Sequence, residues 1–511
     1  FPQLDVHIFF RFQTEWKNGM TENKDQAEKD FTAFVLQCLE ANEMGDGILY
    51  AVLNDGRFVF NKSSQEWMSW QGHFWELDEM DNAHIEVDKV VEAYIAEAHN
   101  LVDGINTAIK AKDESTTKKL RSREAQIFKR AKRLNSDRGR INCLGMAHKN
   151  KQRPLAILGE HLDQSPWLLA CANGVVDLRT GNLQPGRPSD YLTKASPTEW
   201  DDIDAQCPIW EKTLSEIFAG EPELVAYMAR LFGYALTGVP KENILPILWG
   251  QGRNGKTTIV ETISHILGPL AAPIQSEMLL DQGHSRSSAG PSPDIMALRG
   301  LRMAFASEAD EGRKFSPSRI KWMSGSDTLV GRAPHDKRQT SFRPTHTLML
   351  LTNHKPHAPS SDFAFWERIH LIPFNYSFVD RPLQKDNERP ADKDLTGKLE
   401  AEGPGILAWL VRGCISWQQM GLHPPDIIKD ATDEYRRDED LLADFIEERC
   451  FVHKDAWVNA TALYDNFLQW FEKNVSKRKF SQKNFGKLLK DRFEKEKKGT
   501  VIYHGLRLLE P

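Results

Sequence analysis

Gly250, Gly255, Lys256 and Thr257 stand at G-x-x-x-x-G-K-T spacing in the run Gly250-Gln251-Gly252-Arg253-Asn254-Gly255-Lys256-Thr257. Residues of these types at this spacing form a phosphate-binding loop. Glycines let backbone N–H groups close around phosphate oxygens with no Cβ in the way. A following helix adds the positive end of its dipole. Lys256 can reach terminal phosphates, and the Thr257 hydroxyl can hold a magnesium ion. The candidate nucleotide-binding set is Gly250, Gly252, Asn254, Gly255, Lys256, Thr257 and Thr258.

Hydrolysis needs an acid at the end of another strand. Residues 301–306 are a strand candidate, and Ser307-Glu308 follows. A carboxylate there can orient water and, with Thr257, serve the metal. Asp310 and Glu311 follow at once, so the three acids also suit a solvated turn; Glu308 is nearest the strand end, where α/β sheets place ligands. A further strand, 348–352, delivers Asn353, whose amide can sense a γ-phosphate or simply cap a turn. Arg368 precedes strand 369–374 and could insert into a neighbouring subunit's site to neutralise transition-state charge. Taken alone, Arg368 reads first as an ion-pairing surface residue. Between them, 328–344 suggests a hairpin with His335-Asp336-Lys337-Arg338 at its tip.

Several elements must position these groups. The apolar run 244–249 is a buried strand entering the loop, and Ile259, Ile263, Ile266 and Leu267 mark one face of the helix leaving it. Residues 210–236 are helical and lead in. Upstream, 47–60 reads as two strands around Asp55-Gly56. Trp67, Trp70 and Trp75 read as hairpin-packing residues before they read as base-stacking ones. Residues 85–109 are helical, and 110–140 is a charged helical stretch. Two short β segments occupy 172–182. Residues 381–393 are charged and proline-bearing, a linker pattern. Helix returns over 395–417, with a break at 421–425. The end reads as three helices (441–448, 460–474, 481–493) and a hairpin of 500–503 with 506–509 around His504-Gly505. That is the order of a winged helix. Residues 473–507 hold twelve Lys or Arg against three Asp or Glu. The third helix offers Gln482, Lys483, Lys487 and Lys490 to DNA, although the same fold also serves protein contacts.

The loop, Ser307-Glu308, Lys321 with Gly325-Ser326-Asp327 and Arg332, and the box Leu351-Thr352-Asn353-His354-Lys355-Pro356 occur in that order. The set resembles the superfamily 3 helicases, specifically the phage/plasmid primase family and its poxvirus-type helicase relatives. Residues 173–181 and the lead-in from Pro293-Asp294 to Arg302 match the same family, and the resemblance runs from about residue 47 onward. Two positions depart from the pattern: Ser326 stands in the usual Gly-Gly-Asp, and Glu367 stands where a second arginine is common. The resemblance implies an α/β chain with an AAA+-like P-loop core, an α+β N-terminal region and a C-terminal winged helix. The expected divisions are 1–205, 206–380, 381–434 and 435–511. It further implies an ATP- and Mg2+-dependent ring, usually a hexamer, that moves 3′→5′ on single-stranded DNA. In that scheme Glu308 is the catalytic acid, Asn353 the sensor and Arg368 the finger acting in trans. His335, Lys337 and Arg338 would grip DNA in the pore.

Composition is that of an ordinary soluble chain, 40% hydrophobic and 27% charged over 511 residues, enough for about three domains. No run approaches a membrane span and no signal peptide is evident. Six scattered cysteines without C-x-x-C argue against zinc or a disulfide framework and suit a reducing cytoplasm, that of a bacterial host for a phage or plasmid product. A net charge of −6 confines nucleic-acid contact to local basic surfaces. The competing reading is an ATP-switched DNA-binding initiator that does not unwind. Primer synthesis is weaker, since the first ~200 residues lack a convincing D-x-D. A primase–polymerase domain ahead of Phe1, or as a partner, is the family-based expectation.

Overall fold

The computed structural model describes residues 24–283, 292–307, 312–332, 339–474, 480–490 and 492–509. The chain divides into two compact units, Phe1–Asp177 with Asn182–Trp200, and Leu178–Gly181 with Asp201–Pro511. No described helix is long and apolar enough to cross a membrane.

The first unit is built on helices α1 (Lys24–Glu40), α2 (Asn42–Leu53), α3 (Asp88–Lys110), α4 (Glu114–Leu134) and α5 (Asp137–Ala147). Strands β1 (Phe58–Asn61), β2 (Glu66–Trp70), β3 (Trp75–Leu77) and β4 (Ala156–Ile157) form one sheet in the order β3-β2-β1-β4. Strands β5 (Leu168–Cys171), β6 (Gly174–Asp177) and β7 (Asn182–Gln184) form another. The expected strand pair over 47–60 is therefore half corrected: only its end is a strand, and α2 takes the first part. All of Gly45–Val52 is buried in α2. A helix enclosed on every side has no polar face, so its sequence shows an apolar run instead of a 3.6-residue period. Trp67, Trp70 and Trp75 lie on β2 and β3, and Trp70 packs on Trp75 with ring centroids 5.3 Å apart.

The second unit opens with α6 (Pro208–Ile217) and α7 (Pro222–Ala235). Its sheet uses β8 (Leu245–Trp249), β9 (Ala271–Ile274), β10 (Met303–Ser307), β13 (Thr347–Thr352) and β14 (Ile369–Pro373), with α8 (Lys256–Leu267) leaving the loop after β8. The order is β14-β8-β13-β10-β9, and every pairing is parallel. Parallel sheets are covered on both faces, which explains the uninterrupted apolar run of β13. Helix α9 (Pro317–Met323) and the antiparallel pair β11 (Leu329–Gly331) and β12 (Thr340–Phe342) lie between β10 and β13 in sequence.

Residues 381–393, expected as a linker, are structured. Strands β15 (Ser377–Val379) and β16 (Glu388–Pro390) pair in parallel, and Arg381 is ion-paired to Glu388 at 2.7 Å. Helices α10 (Leu395–Ala401), α11 (Gly403–Met420) and α12 (Asp426–Asp438) follow. Helix α12 covers the open edge of β14, where Thr432 Oγ1 accepts the Leu371 N–H at 3.0 Å.

The C-terminal part contains α13 (Leu441–Arg449), β17 (Cys450–Asn459), α14 (Ala460–Asn474), α15 (Gln482–Lys490), β18 (Lys495–Lys498) and β19 (Thr500–Leu508). The sheet order is β17-β19-β18. Phe445, Phe467, Trp470 and Phe485 fill its core. The expected hairpin around His504-Gly505 is corrected: residues 500–508 are one strand, and the hairpin turns at Gly499, whose φ of +74° suits glycine. Lys495–Lys498 has little β propensity of its own and is held by its register on β19.

Candidate functional site

Strand polarity brings the chemical groups to one edge. Because the sheet is parallel, the segments after β8, β10 and β13 all emerge at its C-terminal side, where α/β sheets bind ligands. They open onto a cleft of ≈ 830 Å³ lined by Gly252 to Thr258, Ser307, Thr352 and Asn353. Gly250 closes the end of β8, its N–H bonded to Thr352 O at 3.3 Å. Gly255 is required at the start of α8, with φ +87° and a virtual Cβ only 2.5 Å from Ile217 Cδ1.

Lys256 is 6% exposed. Its ammonium donates to Gly250 O at 2.5 Å, Asn254 Oδ1 at 3.1 Å and Asn353 Oδ1 at 3.0 Å. All three acceptors are neutral. Burial therefore lowers the lysine from 10.5 to about 8. A buried cation with only neutral acceptors among the described residues is poised for an anion such as a phosphate. Asn254 is itself fixed by donating to Phe374 O at 3.2 Å. Thr257, exposed, and Thr258 line the same cleft.

Ser307 ends β10 and lines the cleft; Glu308, Asp310 and Glu311 lie outside the described residues. So do His335, Lys337 and Arg338, between β11 and β12. Arg368 sits at the other edge of the sheet. It precedes β14, and its carbonyl accepts the Leu245 N–H, where β8 begins. A five-residue strand puts it about 15 Å from the cleft edge of its own sheet. Arg368 therefore does not join Lys256 within one chain. Its Nη1 bonds Ala364 O, and its Nε is buried without a hydrogen-bond partner among the described residues.

Sequence reasoning missed one wall of the cleft. Ile209, Thr213 and Ile217 of α6 line it together with Phe378, with Pro390 from the segment expected as a linker, and with Leu395 just after that segment. The Phe378 N–H donates to Arg253 O at 2.7 Å, and Arg253 lies 3.8 Å from Asp380. The charge and prolines of 381–393 concealed this role. Lys355, inside the Asn353 box, points elsewhere: it lies 4.5 Å over the Trp249 ring and 3.4 Å from Asp438. On α15, Lys483 and Lys490 are exposed; the side chain of Lys487 is outside the described set.

The D5 N-terminal-like family matches residues 47–219, and the Poxvirus D5 protein-like family matches residues 437–504. These matches, with viral relatives named as helicases and primases, support a likeness to the poxvirus D5-type helicase-primase family. This chain is 25% identical over 437 residues to "Putative helicase L207/L206" of Acanthamoeba polyphaga mimivirus, covering 82% of this chain and 45% of that protein. It is 24% identical over 386 residues to "Putative helicase 022R" of Frog virus 3, covering 62% and 40%. To "Putative primase C962R" of African swine fever virus it is 23% identical over 372 residues, covering 68% and 38%. The chain thus spans less than half the length of these relatives. Among solved structures, the apo NrS-1 C-terminal region superposes with a TM-score of 0.47 at 11% identity, over 90% of this chain and 99% of that one.

Proposed function

We propose that this chain is the ATP-hydrolysing motor of a superfamily 3 DNA helicase that acts in replication. Its AAA+-like P-loop core would assemble as a ring, a hexamer by family habit, and move 3′→5′ on single-stranded DNA. One observation carries the reading: among the described residues the buried Lys256 ammonium meets only neutral oxygens, in a cleft rimmed by Thr257, Ser307 and Asn353. A triphosphate supplies the missing negative charge.

Each residue then has a task. Loop N–H groups and Lys256 bind the phosphates. The Thr257 hydroxyl and the Glu308 carboxylate are the groups that would hold magnesium, which neutralises phosphate charge when bound. Thr257 faces the cleft and Ser307, next to Glu308, lines it, so the donor set fits a hard, oxygen-seeking cation. Glu308 orients the attacking water, and Asn353 senses the terminal phosphate. Arg368, too far from its own cleft, serves the neighbour's. His335, Lys337 and Arg338 grip the strand in the pore, and the C-terminal winged helix, with Lys483, Lys487 and Lys490, adds DNA contact.

The test is ATP hydrolysis by the purified chain with and without single-stranded DNA, beside strand separation on a 3′-tailed fork. Hydrolysis stimulated by DNA is expected, with Lys256→Ala abolishing both activities and Lys337→Ala abolishing unwinding. Hydrolysis indifferent to DNA, or sequence-specific duplex binding without unwinding, would favour the ATP-switched initiator instead.

A further inference from the structure

Strand β17 carries two large aromatic side chains that the core does not use. Phe451 is 45% exposed and Trp457 is 60% exposed. The opposite face of the same sheet is fully engaged: Cys450, Val458, Tyr503 and Leu506 are buried against Phe445, Phe467 and Phe485. Packing therefore does not explain the outward rings.

Register shows what accompanies them. Phe451 pairs across the ladder with Arg507, and Trp457 pairs with His504. Cross-strand partners share a face. Tyr503 and Leu506 turn inward, so His504 and Arg507 turn outward. The Arg507 guanidinium lies 5.1 Å from the Phe451 ring centroid. The His453 ring is nearly parallel to Phe451, at 13° and 6.1 Å. Between Val452 and Trp457 the strand bulges, with residues 453–456 opposite Gly505 alone. A bulge re-aims side chains, and this one holds the exposed Lys454 between Phe451 and Trp457 in sequence. Two nearby acids face histidines: Glu496 lies 2.9 Å from His504, and Asp455 lies 3.6 Å from His453.

We propose that this outward sheet face binds single-stranded nucleic acid, stacking bases on Phe451 and Trp457 with Arg507 and Lys454 meeting the backbone. Flat rings beside cations are what unstacked bases on a polyanion require. Charge favours this occupant over a second copy of the chain. The face carries Arg507 beside Phe451, and the bulge adds the exposed Lys454, while Glu496 and Asp455 each lie against a histidine, so two such faces repel, whereas a phosphate backbone is attracted. The site is separate from α15 and its lysines, and it needs no nucleotide hydrolysis.

The experiment uses the full chain without nucleotide and a fluorescent oligo(dT) read by anisotropy. Trp457→Ala and Phe451→Ala should each weaken binding about 10- to 100-fold, while Trp457→Phe retains most of it. The salt slope of log K should be unchanged by Trp457→Ala and reduced by about 0.7 by Arg507→Ala. Lys256→Ala should bind the oligonucleotide normally, which separates this site from the hydrolytic reading. Wild-type affinity in both aromatic-to-alanine variants, with folded circular-dichroism spectra, overturns the proposal. So does a Trp457→Ala chain that sediments as a smaller species without nucleic acid, because the face would then be a contact between copies.

Discussion

Asn353 Oδ1 accepts a hydrogen bond from Lys256 Nζ at 3.0 Å, joining the end of β13 to the start of α8. The two groups satisfy each other, so under the proposed function a phosphate takes the ammonium from neutral oxygens. Burial lowers Lys256 from 10.5 to about 8, and that fixes the sign of two effects. Between these values the unfolded chain holds a proton that the folded chain lacks, so the nucleotide-free fold gains stability as pH rises through that window. Nucleotide affinity falls over the same window, because the bound state needs the charged lysine. Calorimetric titration near pH 9 in buffers of different ionisation heat should register proton uptake approaching one per site. Lys256→Met should abolish the uptake, and uptake unchanged in that variant would refute the assignment.

Asp362 joins two segments that the sequence lists far apart. Its carboxylate accepts from Lys321 Nζ at 2.9 and 3.2 Å and from the Phe365 N–H at 3.1 Å. The second contact caps Phe363–Trp366, the short helix that delivers Arg368. Under the proposed role of Arg368, Asp362→Ala should lower ATP turnover about tenfold with nucleotide affinity unchanged. Asp362→Asn keeps the cap and should recover part of the loss. Lys321→Ala should be non-additive with Asp362→Ala, because both remove the same contact. Additive losses in that cycle would mean that the two residues act apart.

The parts of the fold that follow local rules were legible. Strand β8, its glycine loop and α8 appear in the sequence as an apolar run, a motif and a helical period, and α14 was read at its observed limits. Helix α2 was not, because full burial erased the polar face that marks a helix. Helix α12 was hidden by the break at 421–425, and its strongly polar exposed side gave no reason to expect Tyr435 in the sheet's core. The cleft wall from Phe378 to Leu395 depends on tertiary contact between a charged segment and α6, which no local pattern encodes. Lys256, Ser307 and Asn353 were brought to one edge because strand polarity is a topological property, and the motif order already implied it.

In the first unit, Asp46 and Arg130 form a buried pair at 3.2 Å, and the Tyr94 hydroxyl donates to Asp46 at 2.9 Å. Burial raises the Asp46 carboxyl from 3.8 to about 6 despite the arginine. The folded state holds its proton more tightly, so this group's contribution to stability falls as pH rises from about 4 to 6. Arg130→Met leaves an uncompensated buried carboxylate and should cost about 3–5 kcal/mol at pH 7. The cost should shrink at pH 5, and Asp46→Asn should offset much of it. Amide hydrogen exchange across Asn42–Leu53 and Glu114–Leu134 in the intact chain reads the change. Equal protection in Arg130→Met and wild type would show the pair to be dispensable.

Arg368 and Lys256 lie at opposite ends of the sheet's strands, so under the proposed function the hydrolytic site is completed by a second copy of the chain. Each of Arg368→Ala and Lys256→Ala alone should be inactive, with Arg368→Ala still binding nucleotide. Mixed one to one before assembly, they should regain about a quarter of wild-type hydrolysis, because about one junction in four then pairs an intact lysine with an intact arginine. A mixture as inactive as its components, or an Arg368→Ala chain that hydrolyses ATP at the wild-type rate, would contradict a nucleotide held between neighbouring copies.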